Sequence, residues 1–247
     1  MAGDVLDNRG RGEVGGAWPA IRPEGWQFGL LLFAAGLLFL ALGWSLFGWV
    51  LLFASAGVVL FFRDPERVVP QGERLIISPS DGRVVAICRT DPPSDLIENT
   101  GISDAQDRRR VTRLSIAVSL PDVHMNRAPM SGTVRRVFDE ADRITGGGWE
   151  EEDAGKRRQI LLSGRDGATI VMTQATGPLA RRKEAFVKRG DTVAAGQRLG
   201  MVRLGSRVDV YLPRRTDPLV ILGQRVIAGE TVIARLGTEQ LIEGRRQ

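Results

Sequence analysis

Gly205 and Ser206 are the neighbouring residues whose chemistry best suits a reaction of the chain with itself. A serine hydroxyl can attack the carbonyl carbon before it and convert that peptide bond into an ester, which is an N→O acyl shift. Glycine offers the least hindered carbonyl and tolerates the strained backbone angles that the attack needs. Gly-Ser is also a common turn sequence, so the pair alone leaves both a reactive bond and a plain turn open.

His124 is the only histidine among the 247 residues. Any acid–base reaction that needs an imidazole must therefore use this residue, although a single histidine can equally be structural. Cys88 is the only cysteine, which excludes a disulfide within the chain and a metal site built from cysteines. We predict no metal site.

The charge balance is basic, with 34 Lys and Arg residues against 29 Asp and Glu residues and a formal net charge of +5. This balance suits an anionic membrane surface or a nucleic acid, and a general compositional preference for arginine would also produce it. Tyr211 is the only tyrosine, so no aromatic stacking platform lies between the arginines. We predict no nucleic-acid partner.

The tract from Arg207 to Leu212 predicts the strand that would hold Ser206 in place. Valine and leucine alternate in it with arginine, aspartate and tyrosine, which is the period of a half-buried strand. Pro213 ends the tract.

From residue 64 to 237, short apolar runs alternate with Gly, Pro and Asp, which predicts a compact, mostly β domain. Residues 91–110 and 139–158 are polar and are interpreted as loops or short helices. Residues 1–25 are predicted to be a disordered N-terminal tail, and residues 238–247 a C-terminal tail. Strands are expected at Leu75–Ile77, Arg83–Ile87, Leu114–Ser119, Gly132–Val137, Gln159–Leu162, Ala168–Thr173, Gln197–Val202 and Gln224–Ile233.

Two pairs of segments repeat each other within this domain. Residues 190–199 resemble residues 223–232, and residues 79–84 resemble residues 129–134. Such repeats predict repeated supersecondary units, and the Gly-x-x-Val-x-x-Gly hairpins are similar to those of biotinyl and lipoyl carrier domains. We therefore predict a compact sandwich of quasi-repeated, biotinyl/lipoyl-like hairpins. No lysine lies at a hairpin tip between methionines, so the chain is not predicted to be a carrier itself.

A tract of 36 residues without charge, from Gln27 to Phe62, precedes the β domain. About 20 apolar residues cross a bilayer once, and this tract is too long for the apolar part of a signal peptide. Tryptophans near its middle indicate a turn, so we predict a transmembrane hairpin at 26–63 with spans at 27–43 and 46–62. One long tilted helix is the alternative. Arginines on both sides predict that both ends, and the β domain, lie on the cytoplasmic face of the cell membrane.

Four stretches, taken in order, resemble the phosphatidylserine decarboxylase proenzymes, in particular their short subclass. The His-x-Asn-Arg-x-Pro motif in the second stretch is fairly specific, and the fourth stretch is the most specific. The Phe-Phe-Arg-Asp-Pro run at 61–65 also resembles the family, and the resemblance covers about residues 27–235. The four stretches are Ser78–Gly82, Asp122–Pro129, Gly177–Arg182 and Leu204–Pro213.

The resemblance implies that the chain cuts its own Gly205–Ser206 bond, giving a β chain of residues 1–205 and an α chain of residues 206–247. Ser206 would be the nucleophile, His124 its base, and Asp81 the group that orients the imidazole. β-Elimination would then leave a pyruvoyl group at position 206, the covalent cofactor that replaces pyridoxal phosphate.

By the same resemblance, the pyruvoyl group would form a Schiff base with phosphatidylserine in the membrane, and loss of carbon dioxide would give phosphatidylethanolamine. His124 would return the proton to the substrate. Guanidinium groups pair bidentately with phosphate and carboxylate, so four arginines are candidates for substrate binding. They are Arg127, Arg181, Arg182 and Arg207.

Two other functions stay open on the sequence alone. A pyruvoyl-dependent decarboxylase could act on another amino-acid substrate, although a soluble substrate gives the hydrophobic hairpin no role. A non-catalytic, membrane-tethered carrier-like or adaptor module would keep an intact chain and would not need Asp81, His124 or Ser206. The sequence also leaves open whether the paired α and β chains form a homo-oligomer.

Overall fold

The computed structural model describes residues 20–91, 111–140, 157–164, 166–175, 184–201, 207–239 and 242. These residues belong to two compact units, and the division falls between Val68 and Val69. The first unit is mostly helical and the second is mostly β, as the change from an uncharged tract to short punctuated runs predicts.

Two apolar helices make up most of the first unit. Helix α1 spans Pro23–Ala41, and helix α2 spans Ser45–Phe61. Gly43 turns the chain between them with φ at +82°, a conformation that glycine adopts without a steric penalty. Strand β1 (Ala20–Ile21) pairs antiparallel with strand β2 (Arg63–Asp64) at the open end of this hairpin.

Small residues let the two helices approach each other closely. A Cβ atom added to Gly36 would lie 3.1 Å from the carbonyl oxygen of Gly48, and one added to Gly48 would lie 3.0 Å from that of Gly36. Oγ of Ser55 donates a 2.8 Å hydrogen bond to the carbonyl oxygen of Gly29. Close contact through small residues and a hydrogen bond between helices is typical of packing within a lipid bilayer.

Helix α1 ends at Ala41 and helix α2 begins at Ser45. The alternative of one long tilted helix would require the helix to continue through this break. By length and composition, α1 is long and apolar enough to cross a membrane. Helix α2 is also apolar but has only 17 residues, and its crossing of the membrane stays a prediction.

The described part of the second unit consists of strands joined by short turns. One strand ends at Glu140 and another begins at Arg157. Both therefore enter the segment 139–158, which was predicted to be a loop or a short helix. The strands are β3 (Leu75–Ile77), β4 (Gly82–Thr90), β5 (Val111–Ala117), β6 (Met125–Arg127), β7 (Gly132–Glu140), β8 (Arg157–Ser163), β9 (Thr169–Ala175), β10 (Glu184–Ala185), β11 (Thr192–Val193), β12 (Arg198–Met201), β13 (Arg207–Leu212), β14 (Arg225–Val226) and β15 (Val232–Arg235).

Eight strands form one antiparallel sheet in the order β11-β7-β8-β9-β13-β5-β4-β14. Strands β10, β12 and β6 form a second sheet, and β15 pairs with β3. One face of the large sheet contributes alternate residues to the main core, among them Val208, Val210 and Leu212 of β13. The predicted strand after Ser206 is therefore present, and it lies in the middle of the sheet.

Strand β13 is buried on both faces, which corrects the prediction of a half-buried strand. Nε of Arg207 lies 3.1 Å from Oδ1 of Asp209, and Tyr211 packs with Leu161 and Val171 in a small apolar cluster. The alternation showed which residues share a face. It could not show that the polar face is buried, because Leu161 and Val171, which cover Tyr211, are distant in sequence.

The large sheet repeats itself about a pseudo-twofold axis between β9 and β13. The rotation relates β13 to β9, β5 to β8, β4 to β7 and β14 to β11. Each strand counted from one edge of the sheet therefore has its equivalent at the same position counted from the other edge. Hydrogen bonds repeat as well: Val84 N–H donates to the carbonyl oxygen of Gln224 at 2.9 Å, and Val134 N–H donates to that of Asp191 at 2.8 Å. The repeated sequence segments are thus structural repeats, and their likeness to biotinyl and lipoyl hairpins stays a prediction.

Gly82 starts β4 with φ at +151°, and a Cβ atom there would collide with the carbonyl oxygen of Ala117 in β5. We expect Gly82→Ala to lower the free energy of unfolding by about 2–3 kcal/mol, through backbone strain and separation of the two strands. Thermal unfolding followed by circular dichroism measures this. Gly57→Ala is the matched control, because its Cβ would meet no atom within 4 Å; equal midpoints for both variants would contradict the expectation.

Candidate functional site

Four strand ends meet at one end of the large sheet, which we call the Arg207 end. In register, Arg83 of β4 faces Ala117 of β5, Ala117 faces Arg207 of β13, and Arg207 faces Ala175 of β9. Neighbouring strands lie about 4.8 Å apart, so the start of β4 lies about 10 Å from the start of β13. The described residues next to these strand ends are brought together here.

Asp81 directly precedes β4 at the Arg207 end, and only 8% of it is exposed. Its Oδ1 accepts a 2.7 Å hydrogen bond from the backbone N–H of Ala228. Oγ of Ser78 donates to the carbonyl oxygen of Ser80 at 2.7 Å, and Oγ of Ser80 donates to that of Asp81 at 2.9 Å. These bonds fix the turn and its carboxylate, as a residue that orients an imidazole requires.

His124 lies in the segment between β5 and β6, and 2% of it is exposed. This segment starts at the Arg207 end, because β5 ends there at Ala117. The backbone N–H of Arg127 donates a 2.8 Å hydrogen bond to the carbonyl oxygen of Pro79. That bond joins the strand after His124 to the turn that carries Asp81.

Asp122 fastens the same segment to the edge strand β14 of the large sheet. One carboxylate oxygen accepts a 2.9 Å hydrogen bond from the backbone N–H of Ser119, and the other lies 2.7 Å from Nη2 of Arg225. The Asp122 side chain is 6% exposed, and that of Arg225 is 67% exposed. Arg225 lies in β14, whose partner strand β4 begins directly after Asp81. The ion pair therefore joins the His124 segment to the Asp81 strand.

Gly205 and Ser206 lie outside the described residues, and so do Arg181 and Arg182. Arg207, to which Ser206 is joined by a peptide bond, is the first residue of β13 and pairs with both neighbouring strands. The two described members of the predicted catalytic set thus lie at the end of the sheet where β13 begins.

Arg127 and Arg207, two of the predicted substrate-binding residues, are buried and bind other groups of the protein. Nη1 of Arg127 donates a 3.0 Å hydrogen bond to the carbonyl oxygen of Gly196, and Arg207 forms its ion pair with Asp209. Both contacts stabilise the fold locally. A role for either arginine in substrate binding stays a prediction.

Sequence reasoning missed the pairing of Asp122 with Arg225, which are 103 positions apart. No local pattern relates residues at that separation. One signal was available, because Arg225 replaces Thr192 in the otherwise similar repeat. A charge present in only one copy of a repeated hairpin indicates a contact that only that copy makes.

The described side chains at the Arg207 end offer a buried imidazole and an anchored carboxylate. An imidazole in contact with a carboxylate can take a proton from a hydroxyl group and stabilise the imidazolium that results. That His124 and Asp81 do this for the residue before β13 stays a prediction. Within the described ranges, no group of three or more His, Cys, Asp or Glu residues could hold a metal ion.

Comparisons with known proteins point to one family. A family model described as phosphatidylserine decarboxylase matches residues 55–234. The chain is 47% identical over 253 residues to the phosphatidylserine decarboxylase proenzyme of Erythrobacter litoralis, which covers both chains completely. It is 45% identical to the proenzyme of Novosphingobium aromaticivorans over 99% of this chain and 98% of the relative. Identity to that of Paramagnetospirillum magneticum is 40%, over 93% and 91% of the two chains. The chain belongs to the phosphatidylserine decarboxylase family.

Proposed function

We propose that this chain is the precursor of a membrane-anchored enzyme that cuts itself between Gly205 and Ser206 and decarboxylates phosphatidylserine to phosphatidylethanolamine. The observation that carries the proposal is the position of Asp81 and His124, both buried at the end of the sheet where β13 begins. Family membership and the proenzyme names of the relatives support the same function.

In the first stage, His124 takes the proton from Oγ of Ser206 as the oxygen attacks the carbonyl carbon of Gly205. A serine hydroxyl is too weak an acid to react unaided, so it needs a base within hydrogen-bond reach. Asp81 orients the imidazole and stabilises its positive charge. The C–N bond breaks, its nitrogen takes the proton from the imidazolium, and an ester joins the two residues.

In the second stage, the α-proton of residue 206 is removed and the ester oxygen leaves with the Gly205 carboxylate, which becomes the C terminus of the β chain. Residue 206 is then a dehydroalanine with a free amino group. Its imine tautomer reacts with one water and releases ammonia, which leaves a pyruvoyl group at the start of the α chain. The sequence of steps consumes one water and needs no oxidant.

The Arg207 end fits a pyruvoyl group at position 206. Strand β13 pairs with both neighbours from Arg207 onward, so a group on the preceding residue has a fixed point of attachment. When present, the pyruvoyl group supplies a conjugated carbonyl that withdraws electrons as carbon dioxide leaves. His124 returns a proton to the α-carbon of the substrate, and its burial keeps competing water away.

The phosphate and carboxylate of the substrate need cationic partners, and Arg181 and Arg182 are the stronger candidates among the predicted arginines. Arg207 neutralises a carboxylate that is itself buried, and diverting it to the substrate would leave that charge unpaired. Arg127 is similarly engaged with a backbone carbonyl.

A membrane anchor favours a lipid substrate over a soluble amino acid. Helix α1 is long and apolar enough to cross the bilayer, and we propose that α2 crosses back. Arg22 and Arg63 flank the hairpin, and arginines beside both ends favour the cytoplasmic side for both. The catalytic domain would then work on lipids of the inner leaflet.

The intact mass of the expressed protein under denaturing conditions tests the proposal. We expect two chains that separate between residues 205 and 206, the smaller with a pyruvoyl-blocked N terminus. One full-length chain with an ordinary serine, obtained from a preparation with decarboxylase activity, would overturn it. An uncut chain without activity would instead favour the adaptor module.

Arg225→Gln removes the ion pair with Asp122 and leaves the bond from Ser119 in place. We expect the cut to slow about tenfold, because the segment that carries His124 loses one of its links to the Asp81 side of the site and keeps only the backbone bond from Arg127 to Pro79. The stability cost should be about 1–3 kcal/mol, since the buried Asp122 carboxylate loses its charged partner. A time course of chain cleavage, with thermal unfolding beside it, measures both. Arg235→Gln is the exposed control, and equal cleavage rates would remove the ion pair from the mechanism.

A further inference from the structure

The pseudo-twofold axis relates the Arg207 end of the sheet to a second corner at the opposite end. There Thr133 of β7 faces Ser163 of β8, and Ser163 faces Thr169 of β9. These positions correspond to Arg83, Ala117 and Arg207 under the rotation that relates the two halves. The second corner therefore has the same strand pairing as the Arg207 end.

The second corner lacks the catalytic side chains. Ser131 occupies the position of Asp81: its Oγ accepts a 2.9 Å hydrogen bond from a backbone N–H of the repeated hairpin, as Oδ1 of Asp81 does at 2.7 Å. Ala168 precedes β9 as Ser206 precedes β13. Without a carboxylate and a nucleophile at these positions, this corner cannot repeat the cut.

A cavity of about 400 Å³ opens at the second corner, and we call it the Ser163 cavity. Its wall includes the hydroxyl-bearing side chains of Thr133, Ser163 and Thr169. These residues stand opposite one another on adjacent strands, so their Cβ atoms lie about 5 Å apart on one face of the sheet. The strands thus present three hydroxyl groups in a row.

Two arginines, Arg135 and Arg189, line the same cavity, and both are exposed. No carboxylate residue is among the described residues of the wall. Two like charges on one concave surface repel each other, and an anion bound between them removes that repulsion. The described wall of the cavity therefore combines two guanidinium groups with hydroxyl donors.

We propose that the Ser163 cavity binds the phosphate group of a soluble ligand. A phosphate oxygen accepts hydrogen bonds from guanidinium and hydroxyl groups, and its negative charge strengthens those bonds. A phosphate also offers more acceptors than a carboxylate to a wall with five donor side chains.

The position of the cavity favours a soluble ligand over a lipid headgroup. Strand β8 runs from the Arg207 end to Ser163 over seven residues, which is about 20 Å. This step rests on the proposed function, in which the lipid substrate arrives at the Arg207 end: a flat bilayer that meets that end does not reach the other end of the strand. The cavity then faces the aqueous phase.

Calorimetric titration of the full-length protein with inorganic phosphate, in neutral phosphatidylcholine nanodiscs at constant ionic strength, tests the proposal. We expect Arg135→Gln/Arg189→Gln to weaken phosphate binding at least about tenfold. Arg215→Gln/Arg235→Gln removes the same charge from exposed positions outside the cavity and should change affinity less than about twofold. Cleavage between residues 205 and 206 should proceed normally in both double variants.

Three results would overturn the proposal. The wild-type protein could fail to bind phosphate, or both double variants could bind it equally well, which would mean a general charge effect only. Binding to vesicles that contain phosphatidylglycerol could depend on Arg135 and Arg189 while free phosphate does not bind, which would assign the cavity to lipid. Failure of the proposed self-cleavage is read separately, from the masses of the same samples, and leaves the phosphate result unaffected.

Discussion

Ser206→Ala is expected to leave one uncut chain without decarboxylase activity. A methyl group can neither attack the carbonyl carbon of Gly205 nor become a pyruvoyl group, so the cut and the later chemistry are lost together. Activity should fall to the uncatalysed rate, a loss of at least about 10⁶-fold. The intact mass of the purified protein reports the cut, and carbon dioxide release from phosphatidylserine in detergent micelles reports the activity.

Ser131→Ala is the control for loss of a serine hydroxyl, because Ser131 lies in the other half of the fold, at the position that corresponds to Asp81. It removes the hydrogen bond from Ala195 at a cost of about 1 kcal/mol, and the chain should still be cut. Two chains from the Ser206→Ala protein, or normal turnover by it, would refute the assignment of Ser206 as nucleophile and cofactor source.

His124→Ala and Asp81→Asn should separate the base from the group that orients it. Without an imidazole the precursor stays uncut. Asp81→Asn keeps an oxygen that can accept the hydrogen bond from Ala228 and removes only the charge. We expect the cut to slow about 10²- to 10⁴-fold with little change in stability, because the imidazolium loses its counter-charge. Cleavage time courses with thermal unfolding as a companion measurement test both variants.

Asp81→Ala serves as the comparison, because it removes both the charge and the acceptor for Ala228. It should lower the unfolding midpoint as well as the cleavage rate. If Asp81→Asn is cut as fast as the unaltered chain, Asp81 holds the turn and has no part in the chemistry. Normal cleavage of His124→Ala would likewise remove the imidazole from the first stage.

The two helices and strand β13 could be predicted because their signals are local. Absence of charge from Gln27 to Phe62 indicated apolar helices, and the tryptophans near the middle indicated the break that follows Ala41. Alternation from Arg207 to Leu212 indicated a strand. Each signal depends on residues close in sequence, which is where periodicity carries information.

Strand order could not be predicted, because it depends on distant residues. Strand β6 was missed, since Met125–Arg127 is only three residues long and has buried polar side chains that hide any apolar pattern. The same applies to the contact of Asp122 with Arg225 across 103 positions. The candidate site was instead predicted from its residue types and their resemblance to a family.

A cut directly before β13 would alter how this protein recovers from denaturation. Strand β13 lies between β5 and β9, and β14 and β15 pair with β4 and β3, so all three α-chain strands pair with strands from the other side of the cut. In the precursor, a covalent tether keeps these partners at a high effective concentration. Once cut, a denatured α chain diffuses away, and refolding would require a second-order encounter that inserts a strand into the middle of a sheet. The lifetime of the mature enzyme would therefore be governed by how slowly it unfolds, which is kinetic stability, rather than by its folding equilibrium.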